Sequence, residues 1–207
     1  AYRFVELSDA AALCQSLHAT AQAAGLRGTV ILAHEGINLV LAGEEEALRG
    51  WLSRLCKDTR FAGLDVKESW SEQQPFRRLR VKIKREVIRM NQPQLQPAAG
   101  RAPAVDATTL ARWLDQGHDD GGREVLMLDT RNAFELEHGA FDGALDWRLT
   151  KFSDFPAALA AHRDELQDRT VVTYCTGGIR CEKAALAMRD AGVENVWQLD
   201  GGILRYL

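Results

Sequence analysis

Apolar residues in the first half of the chain recur at helical spacing in two stretches and cluster in short runs elsewhere. The helical spacing, three or four residues between leucines and alanines, predicts helices over residues 9–24 and 44–57. The short runs predict four strands, at residues 2–6, 28–33, 37–42 and 64–69. The order strand, helix, strand, strand, helix, strand is typical of a ferredoxin-like (acylphosphatase-like) α+β domain. We place this domain at residues 1–90.

The second half alternates regularly between strand and helix patterns. Buried-type apolar runs predict strands at residues 125–129, 170–174 and 196–199. Helical spacing predicts helices at residues 106–116, 155–166 and 180–191, and Asp106 is a typical helix N-cap. This alternation predicts an α/β domain with a parallel sheet at residues 104–207. The ends of its strands bring Asp129, Cys175 and Asp200 to one edge, where parallel sheets carry their sites.

The stretch between the two halves has a different composition. It holds three of the five prolines of the chain, three glutamines and few apolar residues. Such a composition is typical of a connecting segment, so we predict a linker at residues 91–103.

Composition and charge exclude several classes of protein. Hydrophobic residues make up 46% and charged residues 27% of the chain, and the net charge is −3, so nucleic-acid binding would require a local basic surface. No apolar run approaches the roughly 18 residues of a membrane helix, so we expect no membrane partner. The first residues lack a signal-peptide pattern, which favours the cytoplasm. The missing initiator Met and the ending after a Gly-Gly turn suggest a fragment of a longer chain.

The cysteines form neither a disulfide framework nor a zinc motif. There are four, unevenly spaced and without any Cys-x-x-Cys pair: Cys14, Cys56, Cys175 and Cys181. No metal site and no cofactor motif is therefore evident. We interpret Cys14 and Cys56 as core residues, because they lie on apolar helix faces.

Cys175 is the strongest candidate for chemistry. It follows a buried strand and begins a glycine-rich turn, Cys175-Thr176-Gly177-Gly178-Ile179-Arg180, that leads into a helix. The amide groups of such a turn, the helix N-terminus and Arg180 all favour a negative charge at the sulfur. A lowered pKa would make Cys175 a nucleophile at the accessible mouth of the loop.

Several segments together resemble the rhodanese superfamily. The Cys175–Arg180 loop resembles its active-site loop. A second segment resembles the Asp-x-Arg…Glu…His-x-x-Gly-Ala pattern of the superfamily. It consists of Asp129-Thr130-Arg131, then Glu135, then residues 138–144, and it has two more residues between His138 and Gly143 than that pattern. Leu199-Asp200-Gly201-Gly202 resembles the C-terminal signature of the superfamily. The run Cys175–Lys183 and the segments His34-Glu35-Gly36-Ile37-Asn38-Leu39 and Ala42-Gly43 are more specific, since they resemble the bacterial tRNA uridine hydroxylases.

The resemblance implies a reaction, and the residues themselves indicate a set of roles. Members of that branch join a ferredoxin-like to a rhodanese-like domain and hydroxylate carbon 5 of the wobble uridine with molecular oxygen. From the residues themselves we expect Cys175 to be the reactive thiolate. We expect Arg180 to brace the loop or hold an anion, or to form an ion pair with a carboxylate such as Glu135. We expect Asp129 and Arg131 to give support by tying the strand end to the loop. Cys181 is open to two interpretations, a resolving thiol or a packing residue.

A basic run also allows two interpretations. Seven cations and one acid occupy residues 77–89, and alternation places four cations on one face of a strand: Arg78, Arg80, Lys82 and Lys84. The run could be a solvated edge strand whose charges prevent aggregation. With the resemblance we favour contact with the backbone of RNA, the tRNA anticodon arm.

Other functions fit the same loop. A sulfurtransferase would carry a persulfide on Cys175. A cysteine-dependent phosphatase of this fold has one more residue between Cys and Arg than the four present here, which disfavours that class. A non-catalytic RNA-binding module would not require a reactive cysteine. For the hydroxylase we expect the thiolate to add to carbon 6 of uracil and thereby activate carbon 5.

Overall fold

A computed structural model describes every residue of the chain, 1–207, and divides it into two compact units. The first unit is Ala1–Ile88 and the second is Arg89–Leu207. None of the helices is both long and apolar enough to cross a membrane.

The first unit is a four-stranded sheet with two helices on one face. Its elements are, in order, β1 (Tyr2–Phe4), α1 (Ala10–Ala23), β2 (Arg27–Ala33), β3 (Gly36–Ala42), α2 (Glu45–Leu55) and β4 (Leu79–Ile83). Strand β3 lies between β1 and β2 and is antiparallel to both, while β4 forms the other edge, parallel to β2. Inserting β3 between β1 and β2 is the split β-α-β arrangement predicted for a ferredoxin-like domain.

The core of this unit lies between the sheet and the helices. Alternate residues of β2 and β3, such as Val30 and Ile37, pack against Leu17 of α1 and Trp51 of α2. The opposite alternation on the same strands places Thr29 and other residues on the outer face. The strand predicted at residues 64–69 is wrong. Only its first residue, Leu64, is buried, and the chain continues without regular structure through an exposed polar stretch until β4.

The second unit is a parallel five-stranded sheet covered by helices. Its elements are, in order, β5 (Ala104–Val105), α3 (Ala107–Gln116), β6 (Val125–Asp129), β7 (Leu145–Asp146), α4 (Phe155–His162), β8 (Thr170–Tyr174), α5 (Ile179–Asp190), β9 (Val196–Leu199) and α6 (Ile203–Tyr206). The strand order is β5-β9-β8-β6-β7, and every pairing is parallel. Strand β8 lies at the centre, and all five of its residues are buried. The α/β parallel-sheet prediction is confirmed.

The ends of the helices follow local chemistry. The Asp106 side chain accepts a hydrogen bond from the Thr109 amide at 2.9 Å, so the predicted N-cap of α3 is confirmed. The helix ends at Gly117, which adopts a left-handed conformation with φ of 77°. The helix predicted over residues 155–166 is shorter than expected, because after His162 the chain tightens into a 3₁₀ turn over Arg163–Leu166.

The segment predicted as a linker is part of the second unit. Residues 91–103 contain no helix or strand, but Leu95 and Ala102 are buried, with 5% and 4% of their surface exposed. The Pro103 carbonyl accepts a bond from the Gln198 amide at 3.0 Å, and Arg101 pairs with the buried Glu182 at 2.6 Å. Apolar anchors and these bonds hold the segment on the unit, whereas composition alone suggested a free connection.

Candidate active site

The Cys175 loop is the turn that links β8 to α5. Cys175 comes directly after the last residue of β8, and α5 begins four residues later at Ile179. Gly178 has a φ of 98°, a conformation that disfavours any residue with a Cβ. This conformation turns the Gly178 amide toward the sulfur, to which it donates a hydrogen bond at 3.1 Å. The local geometry is the amide cradle that the glycines predicted.

The loop is held from behind by the start of α6. The amides of Ile203 and Leu204 donate to the carbonyl oxygens of Cys175 and Thr176, at 2.9 and 3.2 Å. Gly202 has a φ of 68°, and a Cβ at this position would overlap the Cys175 carbonyl oxygen. In the sequence, Gly201-Gly202 was notable only for its resemblance to the superfamily. The structure explains why residue 202 is a glycine, because its backbone lies in close contact with the loop.

The sulfur is not accessible in this structure. Cys175 has 0% of its surface exposed, and Gly178 is buried as well. The expectation of a thiol at an open mouth is therefore wrong. The side chain points inward, beneath the turn, because its hydrogen-bond donors lie there.

The sulfur is nevertheless held in an environment that favours its anion. Burial by itself raises the pKa of Cys175, but a hydrogen bond from the Cys181 thiol, the charge of Arg180 and the amides of Arg180 and Gly178 outweigh it. The net effect lowers the pKa well below the ordinary 9.0. Burial and the neighbouring Cys175 anion conversely raise the pKa of Cys181. These opposite shifts favour Cys175 over Cys181 as the site of the negative charge.

Glu135 joins Arg180 to the loop. Its carboxylate accepts from both terminal nitrogens of Arg180, at 2.5 and 2.7 Å, and from the Thr176 hydroxyl at 2.7 Å. Burial raises the pKa of Glu135, but these bonds and the charge of Arg180 lower it to about 2. The structure thus contains the ion pair that was anticipated between Arg180 and Glu135. The Thr176 bond was not anticipated, since no sequence pattern predicts a contact between a hydroxyl and a carboxylate so far apart in the chain.

Asp129 and Arg131 fix the segment that carries Glu135. The Arg131 guanidinium donates to both oxygens of the Asp129 carboxylate at 2.6–3.0 Å, and to the Gly139 carbonyl at 2.7 Å. It also stacks over the Tyr174 ring, 5.3 Å from the centroid. These contacts pin the 3₁₀ turn Ala133–His138 against the end of β8. This geometry fits two residues that position the segment carrying Glu135. The supporting role of Asp129 and Arg131 in the reaction stays a prediction.

Cys181 lies in the first turn of α5 and is fully buried. Its sulfur is 3.8 Å from the Thr130 hydroxyl and it hydrogen-bonds Cys175. A packing residue and a resolving thiol would both occupy this position, so both interpretations stand.

The basic run lies on the edge strand of the first unit. The side chains of Arg78, Arg80, Lys82 and Lys84 are exposed, and only Arg80 and Lys82 alternate outward within β4 itself. No group of three or more His, Cys, Asp or Glu side chains is arranged to hold a metal ion.

The fold and the loop define the class of the second unit, which is rhodanese-like. Residues 107–207 match the rhodanese-like domain family, and residues 1–87 match the UPF0176 acylphosphatase like domain. The predicted combination of a ferredoxin-like and a rhodanese-like domain is thereby confirmed.

Curated relatives narrow the class further. Proteins named tRNA uridine(34) hydroxylase are 62% identical in Variovorax paradoxus, over 100% of this chain and 78% of the relative, and 60% identical in Delftia acidovorans, over 99% and 78%. The protein of that name in Bordetella petrii is 60% identical over 100% of this chain and 82% of its own length. The chain belongs to the tRNA uridine(34) hydroxylase family.

Proposed function

We propose that this protein hydroxylates uridine 34, the wobble uridine of tRNA, with Cys175 as the reactive thiolate. The observation that carries the reaction is the 62% identity, over the full length of this chain, with a relative named for it. The support for Cys175 is its environment, an inward-facing amide at 3.1 Å and a charged Arg180 in a loop matched to the rhodanese-like family.

The chemistry we infer begins with nucleophilic addition. The Cys175 sulfur forms a bond to carbon 6 of uracil, the π bond between carbons 5 and 6 breaks, and its electron pair moves to carbon 5 and the carbonyl oxygen at position 4. Carbon 5 is then electron-rich enough to react with molecular oxygen, which we propose as the co-substrate, and a hydroperoxide forms at carbon 5. Two molecules of a small thiol, which we propose as the reductant, cleave its O–O bond: one oxygen stays on carbon 5 as the hydroxyl, the other leaves as water, and the thiols become a disulfide. Once carbon 5 carries the hydroxyl, loss of its proton and departure of the thiolate from carbon 6 restore the double bond. The Cys175 thiolate is thereby regenerated, and Arg180 again stabilises its charge.

The burial of Cys175 sets a requirement on this reaction. A base must contact the sulfur, so the turn over residues 176–178 has to move aside when tRNA binds. Thr176 holds the turn through its carbonyl, which accepts from the Leu204 amide of α6 at 3.2 Å, and through its hydroxyl, which donates to Glu135 at 2.7 Å. Displacement of the turn therefore does not require the strand or the helix to unfold. A flipped wobble uridine would complete the site.

The basic strand supports the choice of substrate. Exposed Arg78, Arg80, Lys82 and Lys84 can neutralise RNA phosphates, and we propose that they hold the anticodon arm. Because tRNA is used in the cytoplasm, we propose that the protein acts there.

A sulfurtransferase is the second candidate, because an amide cradle with Arg180 stabilises a persulfide anion as well as a thiolate. Incubation with thiosulfate and cyanide discriminates between the two. Rapid release of thiocyanate that is lost in Cys175→Ser would favour the sulfurtransferase, and negligible release favours the hydroxylase.

Nucleoside mass spectrometry tests the proposal. Cells that lack the protein are complemented with full-length wild type, Cys175→Ser, or Cys14→Ser as the matched cysteine control from the first unit. We expect 5-hydroxyuridine and its derivatives with wild type and Cys14→Ser, and none with Cys175→Ser. Growth under ¹⁸O₂ should add two mass units to the nucleoside. Modification that persists in Cys175→Ser would refute the role of the thiolate, and label that enters from water would refute oxygen as co-substrate.

A further inference from the structure

A groove of about 560 Å³ lies where the chain enters the edge strand of the first unit. Its volume falls within the range of about 300–1,000 Å³ that is usual for ligand sites. Two residues come from β2 and four from β4 and the segment before it: Gly28, Thr29, Phe76, Arg77, Arg78 and Arg80. Thr29 and Arg80 are direct neighbours across the strand pair, so the groove is built on the rigid sheet.

The arginines of the groove have no carboxylate partner. Arg77, Arg78 and Arg80 are exposed, and no side-chain ion pair or hydrogen bond engages them. Elsewhere in the chain, surface arginines such as Arg60 and Arg112 are held by an aspartate. Three uncompensated guanidinium groups around one cavity produce a positive potential that a polyanion would relieve.

Phe76 gives the groove an aromatic surface. It is half-buried and does not belong to the hydrophobic core of the unit. Its amide donates to the Gln74 side chain at 3.3 Å, and Gln74 in turn donates to the Ala42 carbonyl at 3.2 Å. These bonds fix the segment against the end of β3. Phe76 therefore lines the groove without being needed to fill the core.

An aromatic ring beside unpaired arginines is the combination that binds single-stranded nucleic acid, because bases stack on the ring and guanidinium groups hold the phosphates. We propose that this groove binds unstacked nucleotides of single-stranded RNA. A base stacks on Phe76, and Arg77, Arg78 and Arg80 contact the flanking phosphates. This inference rests on the proposed function, in which the ligand is a tRNA loop.

Binding of short RNAs to the full-length protein tests the groove. The probes are a fluorescein-labelled single-stranded oligoribonucleotide of twelve residues and the blunt duplex of the same sequence. Stacking contributes about 1–3 kcal/mol per base, so Phe76→Ala should weaken single-strand binding about 5- to 150-fold. Duplex binding should change little, because paired bases cannot stack on the ring. Phe76→Tyr should retain wild-type affinity.

The arginines are tested by salt dependence. Arg78→Ala and Arg80→Ala should each reduce the slope of log affinity against log salt by about 0.7 for a single strand. Arg54→Ala, in the exposed last turn of α2, is the matched control and should leave the slope unchanged. If Phe76→Ala binds like wild type while the arginine variants do not, the groove holds phosphates only and the stacking proposal is overturned. If none of the variants changes binding, the groove is not an RNA site.

The outcome is separable from that of the proposed function. Suppose that Phe76→Ala loses single-strand binding and that even the wild type forms no 5-hydroxyuridine in cells. This result would support the groove as an RNA site and refute the hydroxylase. Normal hydroxylation by the wild type, together with unchanged binding in Phe76→Ala, would support the hydroxylase and refute the groove.

Discussion

Replacing Glu135 by Gln removes one charge from the network around the Cys175 loop while keeping the shape of the side chain. Only 19% of the Glu135 side chain is exposed, and its carboxylate accepts hydrogen bonds from Arg180 and Thr176. Its pKa is lowered from 4.5 to about 2. At about 1.4 kcal/mol per pKa unit, ionised Glu135 contributes about 3 kcal/mol to folding at pH 7. Glu135→Gln leaves the charge of the buried Arg180 without a partner, so we expect the free energy of unfolding to fall by a similar amount.

The pH dependence gives the sharper test. Because the folded pKa lies below the unfolded value, the stabilisation is complete above pH 4.5 and disappears as the pH falls toward 2. At pH 3 about 1 kcal/mol should remain. Urea unfolding of the second unit, followed by the fluorescence of its tryptophans, measures the gap between wild type and Glu135→Gln at both pH values.

Glu124→Gln serves as the control for this measurement. Glu124 pairs with Arg169 at 3.2 Å, but its side chain is 61% exposed, so its loss should have little effect on stability. A gap between wild type and Glu135→Gln that is equal at pH 7 and pH 3 would refute the electrostatic account of the network. So would the absence of any gap at pH 7.

Four further outcomes follow from the geometry. Gly202→Ala should destabilise the protein by about 1–3 kcal/mol in urea unfolding, because its Cβ would overlap the Cys175 carbonyl at a positive φ. Gly50→Ala, in α2 with open space around it, should instead stabilise by up to about 1 kcal/mol, and the same sign for both would contradict the packing argument. Asp106→Ala should cost about 1 kcal/mol by removing the N-cap of α3, and unchanged stability would show that the cap is not needed. Iodoacetamide should modify Cys175 slowly despite its lowered pKa, and faster once tRNA is added; fast labelling without tRNA would contradict the burial of the sulfur.

Much of the fold was predictable because its signals are local. The strands at residues 125–129, 170–174 and 196–199 have the bounds given by their apolar runs, and Asp106 caps the helix that it was expected to begin. The strand predicted at residues 64–69 failed since two apolar residues do not distinguish a strand from an extended segment. Strands β5 and β7 have two residues each and carry no pattern of their own.

The site was predictable in its chemistry but not in its accessibility. Cys175, the two glycines and Arg180 are neighbours in sequence, so their cradle follows from local geometry. The loop is also fixed by contacts from residues far along the chain, the α6 amides behind it. The grouping of Glu135 with Thr176 likewise arises only when β6 and β8 pair. No spacing along the chain encodes either contact.

The state of the Cys175 sulfur at neutral pH is the central claim, and its absorbance measures it directly. A thiolate absorbs ultraviolet light more strongly than a thiol. The ultraviolet absorbance of wild type minus that of Cys175→Ser, measured as a function of pH, therefore gives the ionisation midpoint of Cys175. The environment described above predicts a midpoint well below 9.0, with the thiolate already present at pH 7. A midpoint at or above 9.0 would contradict the account.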